Sequence, residues 1–258
     1  MIDCHTHLTD AAFDADRAAV LERARAAGVR RIAIVGQDRA ENAAVLAAAA
    51  RHAELLPFLG LHPDRFADRA APLPAEEPAA VLAQIRERRT ALVGIGEVGL
   101  DYWVCQDEAR RAQQRDAFSR LVRLAQELEL PLNVHSRSAG HHTIDLLLEL
   151  GARRVLMHAF DGKAGHAQRG AAAGFVFSIP PSIVRSPQKR KLVNALPLES
   201  LALETDSPVL GPVAGERNEP ANVAISAAAI AEIKGVPEAE VRAVTAATAR
   251  RLFGLEPA

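Results

Sequence analysis

With 258 residues, 49% hydrophobic content and a formal net charge of -1, the chain can bury a large core and has no global charge to draw it to nucleic acid or membrane. Any polyanion site must therefore be a local cluster of Lys and Arg. Two cysteines, Cys4 and Cys105, make no disulfide framework, no basic and apolar leader opens the sequence, and no run of about 18 apolar residues could span a bilayer. These features predict a soluble, cytoplasmic protein with one domain over 1–258.

Taken in order, short apolar or β-branched runs alternate with longer segments of helical period. The predicted strands are 2–5, 31–36, 55–61, 91–96, 132–135, 155–158, 175–179 and 201–204, most of them bounded by Gly, Pro or charge. A helix over 14–27 is stopped by Gly28, one over 38–52 opens on an Asp cap, and one over 107–129 ends before Pro131. Further helices fit 139–150, 163–173, 187–196, 220–234 and 237–253, and the Ala- and Pro-rich stretch 70–78 reads as a loop entering a helix. Strands joined through crossover helices pair in parallel, and eight repeats of that unit close into a (β/α)8 barrel. A doubly wound open sheet usually has fewer repeats and a Gly-rich phosphate turn, which does not follow the first strand here.

Active sites of such barrels lie at the C-terminal ends of the strands, so those ends decide the function. The first ends in His5-Thr6-His7, whose imidazoles, two residues apart, share a strand face and can pinch one metal ion. The third ends in His62, the fourth in the stretch 96–101 containing Glu97, the fifth in His135 and Arg137, the sixth in His158, the eighth in Glu204 and Asp206. Imidazole with carboxylate suits Zn2+, Mn2+ or Mg2+, and two ions about 4 Å apart need a ligand that touches both. Glu97, between Gly96 and Gly99, is the candidate bridge. His5, His7 and Asp206 then complete one ion and His135 with His158 the other, and Asp206 doubles as general base for a metal-held water. Cys4 is expected to point away from the histidine pair as a small buried hydrophobe.

At these residues the chain resembles the TatD family of metal-dependent hydrolases within the amidohydrolase superfamily. Asp-Cys-His-Thr-His-Leu at 3–8 and Gly-Glu-Val-Gly-Leu-Asp-Tyr at 96–102 are similar to two of its signatures, and 133–137, 203–208 and 217–220 to the rest. Stretches 135–140, 158–162 and 178–183 look most like the TatD-domain deoxyribonuclease branch. The resemblance runs from residue 2 to about 253 and implies a (β/α)8 barrel, divalent-metal dependence and hydrolysis of DNA phosphodiesters, in several relatives as a 3'-to-5' exonuclease. Carried over by position, the implied metal ligands are His5, His7, Glu97, His135, His158 and Asp206. The chain departs from the family pattern at Trp103-Val104-Cys105 and at Asp161-Gly162, which touches substrate preference.

Arg137 and Arg217 are the expected phosphate contacts, ahead of Lys163, Arg185 and the Lys189-Arg190-Lys191 run, most of which reads as solvated helix surface. Tyr102 or Trp103 could stack on a base, His62 could touch substrate or water, and Glu204 could orient Arg217 or a ligand. His52, His141, His142 and His166 read as surface residues. The partner is thus DNA or a small phosphodiester. The rivals are an esterase, lactonase or aminoacyl-ester hydrolase using the same ions, and a noncatalytic metal-binding scaffold.

Overall fold

A computed structural model describes residues 1–67 and 73–256. Eight strands, β1 (Ile2–Thr6), β2 (Arg31–Val35), β3 (Leu55–Leu59), β4 (Gly94–Gly99), β5 (Leu132–His135), β6 (Val155–Met157), β7 (Val176–Ile179) and β8 (Leu201–Leu203), pair in parallel in chain order. Helices α1 (Arg17–Ala26), α2 (Arg39–Ala49), α3 (Glu77–Arg88), α4 (Glu108–Glu127), α5 (Gly140–Glu149), α6 (Ala164–Ala172) and α7 (Pro187–Ala195) provide the crossovers, and α8 (Val223–Lys234) and α9 (Glu238–Phe253) follow β8. Residues 70–72 of the loop expected to enter α3 lie outside the described residues.

The sheet closes at the β1–β8 seam. Asp206 N donates to His5 O (2.9 Å) and His7 N to Ser207 O (2.8 Å). Below them the Asp3 carboxylate accepts from Thr205 N (2.9 Å) and Thr205 Oγ1 (2.5 Å), so a side chain replaces a missing rung of the ladder. The expected (β/α)8 barrel is the fold found.

Two local differences from the expected elements matter. Strand β4 lies three residues later than expected, because Arg89–Ala91 forms a 3-10 turn and the glycines that looked like a strand stop are inside the strand. Gly94 packs under Phe58, where an added Cβ would sit 2.2 Å from the ring, and Gly99, at φ +144°, approaches His135 O too closely for any side chain. The second difference is a register shift in β1 between Asp3 and Thr6. It breaks strict alternation, so neighbours Cys4 and His5 both serve the barrel interior, Cys4 in its apolar floor and His5 in its mouth.

That floor joins Ile2, Cys4, Ala33, Val35, Leu56, Phe58, Leu156, Val176 and Ala202 from six strands with Ala249, Leu252 and Phe253 of α9. Side chains from strands on opposite sides of one barrel meet only through its centre, so α9 plugs the N-terminal end. The Phe58 and Phe253 rings meet edge to face at 5.1 Å, and Arg154 donates twice to Leu252 O to hold the plug. A second, larger core fills the layer between sheet and helices. Among the described residues no helix is long and apolar enough to cross a membrane.

Candidate metal centre

Glu97 sits in the middle of the barrel mouth, 1% exposed, with its two oxygens facing different groups. Oε1 is 2.8 Å from His135 Nδ1, 2.9 Å from His158 Nε2 and 3.2 Å from His62 Nε2. Oε2 is 3.4 Å from His7 Nε2 and 3.6 Å from His5 Nε2, and this buried oxygen makes no hydrogen bond. Asp206 Oδ1 lies 3.4 Å from His7 Nε2 and 3.5 Å from His5 Nε2, which are themselves 3.3 Å apart. All six residues expected to hold metal are thus brought together, from β1, β4, β5 and the loops after β1, β6 and β8.

The donor set, imidazole nitrogen with carboxylate oxygen, suits a divalent cation. His5 Nε2 and His7 Nε2, 3.3 Å apart, each stand 3.4 to 3.6 Å from both Glu97 Oε2 and Asp206 Oδ1, so two imidazoles converge between two carboxylates. A buried carboxylate oxygen without a hydrogen bond is costly unless a cation meets it. Around Oε1, His62, His135 and His158 form a second converging set. The residues fit.

Neighbouring groups aim these donors. Asn133 Nδ2 donates to Cys4 O (2.8 Å), which leaves its Oδ1 to accept from His5 Nδ1 (2.8 Å) and turns the His5 Nε2 lone pair into the site. Asp101 Oδ2 lies 3.1 Å from His135 Nε2 while its Oδ1 accepts from Trp103 N and Val104 N, tying the loop after β4 to the centre. Glu204 accepts from Ala159 N (2.8 Å) and Ser178 Oγ (2.5 Å) beneath His158. The sequence signalled Asp101 only as part of a polar strand end, and Asn133 only as the first residue of the stretch 133–137 that is similar to a family signature.

The electrostatics follow from burial and crowding. Burial pushes the Glu97 carboxyl up, but the imidazoles of His62, His158 and His5 and the hydrogen bond from His135 outweigh it and hold it well below the carboxylate range. Burial also opposes charge on His62, yet Glu97 and Asp64 raise it to about 10. Burial lowers His5 to about 3, with His158 adding to the effect, so its Nε2 lone pair stays open at neutral pH. The carboxylates draw positive charge, which metal ions can supply in place of protons.

The other expected site residues divide. His62 lines the cavity and also reaches the centre, its Nε2 3.2 Å from Glu97 Oε1. Arg137 is exposed on the rim of a cavity of about 480 Å3 above the centre, its guanidinium 5.2 Å from the Trp103 ring. Tyr102 does not reach the cavity as a stacking face: it is 8% exposed, packed under Arg111, and its hydroxyl accepts from Arg115. Trp103, 60% exposed, is the aromatic left open. Arg217 is likewise drawn away, clasping Asp16 with two 2.7 Å bonds and lying over Phe13, so Glu204 does not orient it. Arg190 pairs with Glu232, and Arg185 donates to Gly211 O. Lys189, expected among solvated lysines, is instead buried in the cavity wall. His141 and His142 are exposed with their rings in tilted contact at 3.8 Å, whereas His166 is half-buried with its Nδ1 enclosed.

Residues 2–254 match the family model described as TatD related DNase. The chain is 44% identical to Deoxyribonuclease TATDN3 of Homo sapiens, covering 98% of this chain and 94% of that one. It is 33% identical to the metal-dependent hydrolase YabD of Bacillus subtilis, covering 98% of each. The crystal structure of YjjV, a TatD homologue from Escherichia coli, superposes with a TM-score of 0.90 at 28% identity over 99% of this chain and 98% of that one. Together with the metal-binding geometry at Glu97, these matches establish that the chain belongs to the family of TatD-related DNases.

Proposed function

We propose that the chain is a divalent-metal-dependent deoxyribonuclease whose six ligands, His5, His7, Glu97, His135, His158 and Asp206, hold two ions, with His62 a further donor to the second. The observation that carries this reading is Glu97, buried with three imidazoles at one oxygen and two imidazoles beside Asp206 at the other. When bound, such ions polarise phosphoryl oxygens and make water acidic enough to attack near neutral pH. Zn2+, Mn2+ and Mg2+ all suit this mixture of nitrogen and oxygen donors.

The chain's own residues do the rest. Asp206 faces the mouth with its pKa lowered: burial opposes ionisation, but the hydrogen bond from His7 and the charges of His158 and His5 win. It therefore stays ionised and accepts the proton of the attacking water. Glu97 fixes the spacing of the two donor sets, and Asn133 and Asp101 keep His5 and His135 oriented. Arg137 on the rim reaches a phosphate oxygen of the strand, and cleavage from a 3' end suits a cavity large enough for one nucleotide unit.

A titration of metal-stripped protein with Mn2+, Zn2+ and Mg2+, followed by a hydrolysis screen, tests the proposal. Metal-dependent turnover of single-stranded DNA and bis-p-nitrophenyl phosphate is expected. Turnover of carboxyl esters or lactones alone would transfer the site to the rival hydrolase class, and tight metal binding without hydrolysis would leave a scaffold.

A further inference from the structure

Lys189 is in the wrong place for a structural lysine. Its side chain is 7% exposed, yet it takes part in no ion pair among the described residues. Among the described residues its side chain makes one hydrogen bond, from Nζ to Ala159 O at 3.1 Å, which leaves two N–H donors on a buried ammonium. It also occupies the third position of α7, whose cap Ser186 accepts from Lys189 N, so the cation stands at the positive end of the helix. Burial, a missing counter-ion and an opposed dipole each disfavour it. Local rules broken together at one residue mark a functional position.

The wall it occupies is that of the catalytic cavity, shared with His7, His158, Asp206 and Arg137. The carboxylates of Glu204, Asp161 and Asp206 lie near enough to favour its charge while Arg185 opposes it, but none closes to a salt bridge among the described residues. Those of Glu204 and Asp161 already accept from Ala159 N, Ser178 Oγ and Ser138 N. What is lacking is an anion that arrives in the cavity.

We propose that Lys189 is a substrate-binding residue that takes a non-bridging oxygen of the phosphate group held over the centre, opposite Arg137. This rests on the phosphodiesterase reading and names a contact that the sequence alone assigned to solvent. The ammonium donates to the phosphate with its two remaining N–H bonds and keeps its bond to Ala159 O. Binding of the phosphate removes the unpaired buried charge, so the residue favours occupied over empty protein.

The test uses metal-loaded protein and inorganic phosphate as probe, with its dissociation constant measured by calorimetry for wild type, Lys189→Gln and Lys189→Arg. A charged hydrogen bond of the usual strength predicts that Lys189→Gln weakens phosphate by about 10-fold or more and lowers kcat/KM on bis-p-nitrophenyl phosphate to a similar extent. Its metal content should be unchanged and its Tm unchanged or higher, since a buried charge is gone, and Lys189→Arg should keep phosphate affinity within about threefold. A glutamine variant that loses Tm but binds phosphate like wild type would make Lys189 a brace for the loop after β6 and overturn the proposal. Loss of phosphate affinity in both variants would also overturn it, by tying the effect to shape rather than charge. Wild-type protein that binds phosphate through Lys189 without cleaving any phosphodiester would leave this contact standing while refuting the nuclease reading.

Discussion

The two ends of the barrel are built from the same strands and differ in almost everything else. At the N-terminal end the inward side chains are Ile, Cys, Ala, Val, Leu and Phe, closed by Phe253. At the C-terminal end, one or two residues further along, they are His, Glu and Asp with a buried carboxylate oxygen left without a hydrogen bond. The lower end lowers the free energy of the fold, and the upper end spends part of that stability on holding donors apart for ligands. Substitutions at the two ends should therefore separate stability from activity.

The largest expected effect is at the floor. Phe253→Ala removes the aromatic plug and should destabilise the chain by about 3–5 kcal/mol. Chemical denaturation would measure this, and kcat/KM per folded molecule should stay at the wild-type value. A loss of activity in the folded fraction would show that the ends are coupled. At the mouth, Glu97→Gln keeps size but removes the charge between the two donor sets, so metal-dependent phosphodiester turnover should fall by at least about 100-fold with the fold intact. Wild-type turnover at saturating metal would take Glu97 out of the mechanism.

Metal should nevertheless tie the mouth to stability, since its donors come from strands far apart in sequence. At free metal 100 times its Kd, the native state gains about 2.7 kcal/mol, so EDTA should lower the Tm of metal-containing protein. An unchanged Tm would contradict a shared site. A smaller effect is expected on the rim. Arg137→Lys should keep metal and fold but lose about 1–3 kcal/mol of transition-state stabilisation on DNA, because an ammonium lacks the planar fork. A drop in Tm with kcat/KM unchanged would make Arg137 a loop brace. The smallest is Arg217→Gln, which breaks an exposed pair with Asp16 away from the cavity. Turnover of bis-p-nitrophenyl phosphate should stay within about twofold of wild type, with a slightly lower Tm at low salt.

The contrast also explains what could be read from the sequence. In a parallel barrel the strand ends share one rim, so His5, His7, Glu97, His135, His158 and Asp206 could be assembled from periodicity and chain order before any coordinates. The floor was less legible. Cys4 was expected to face away from His5's side, and only the register shift in β1 shows that both point inward. Glycine misled at β4, where close packing against Phe58 and His135 O, rather than a turn, demands it. Long flexible residues misled most. Arg217 finds Asp16, Tyr102 finds Arg115 and Lys189 folds back into the cavity, because their reach exceeds the spacing that sequence neighbours reveal. Asp101 and Asn133 gain their roles only through partners 34 and 128 residues away.

The central claim is that the Glu97 carboxylate stands between two cations, one at each oxygen. Titrating metal-stripped protein with Mn2+ and following electron paramagnetic resonance tests it directly, since two ions about 4 Å apart couple magnetically. The predicted result is uptake of about two equivalents, the isolated-ion spectrum giving way to a coupled one as the second site fills. Saturation at one equivalent, or two equivalents with the spectrum of isolated ions throughout, would contradict the bridging role of Glu97.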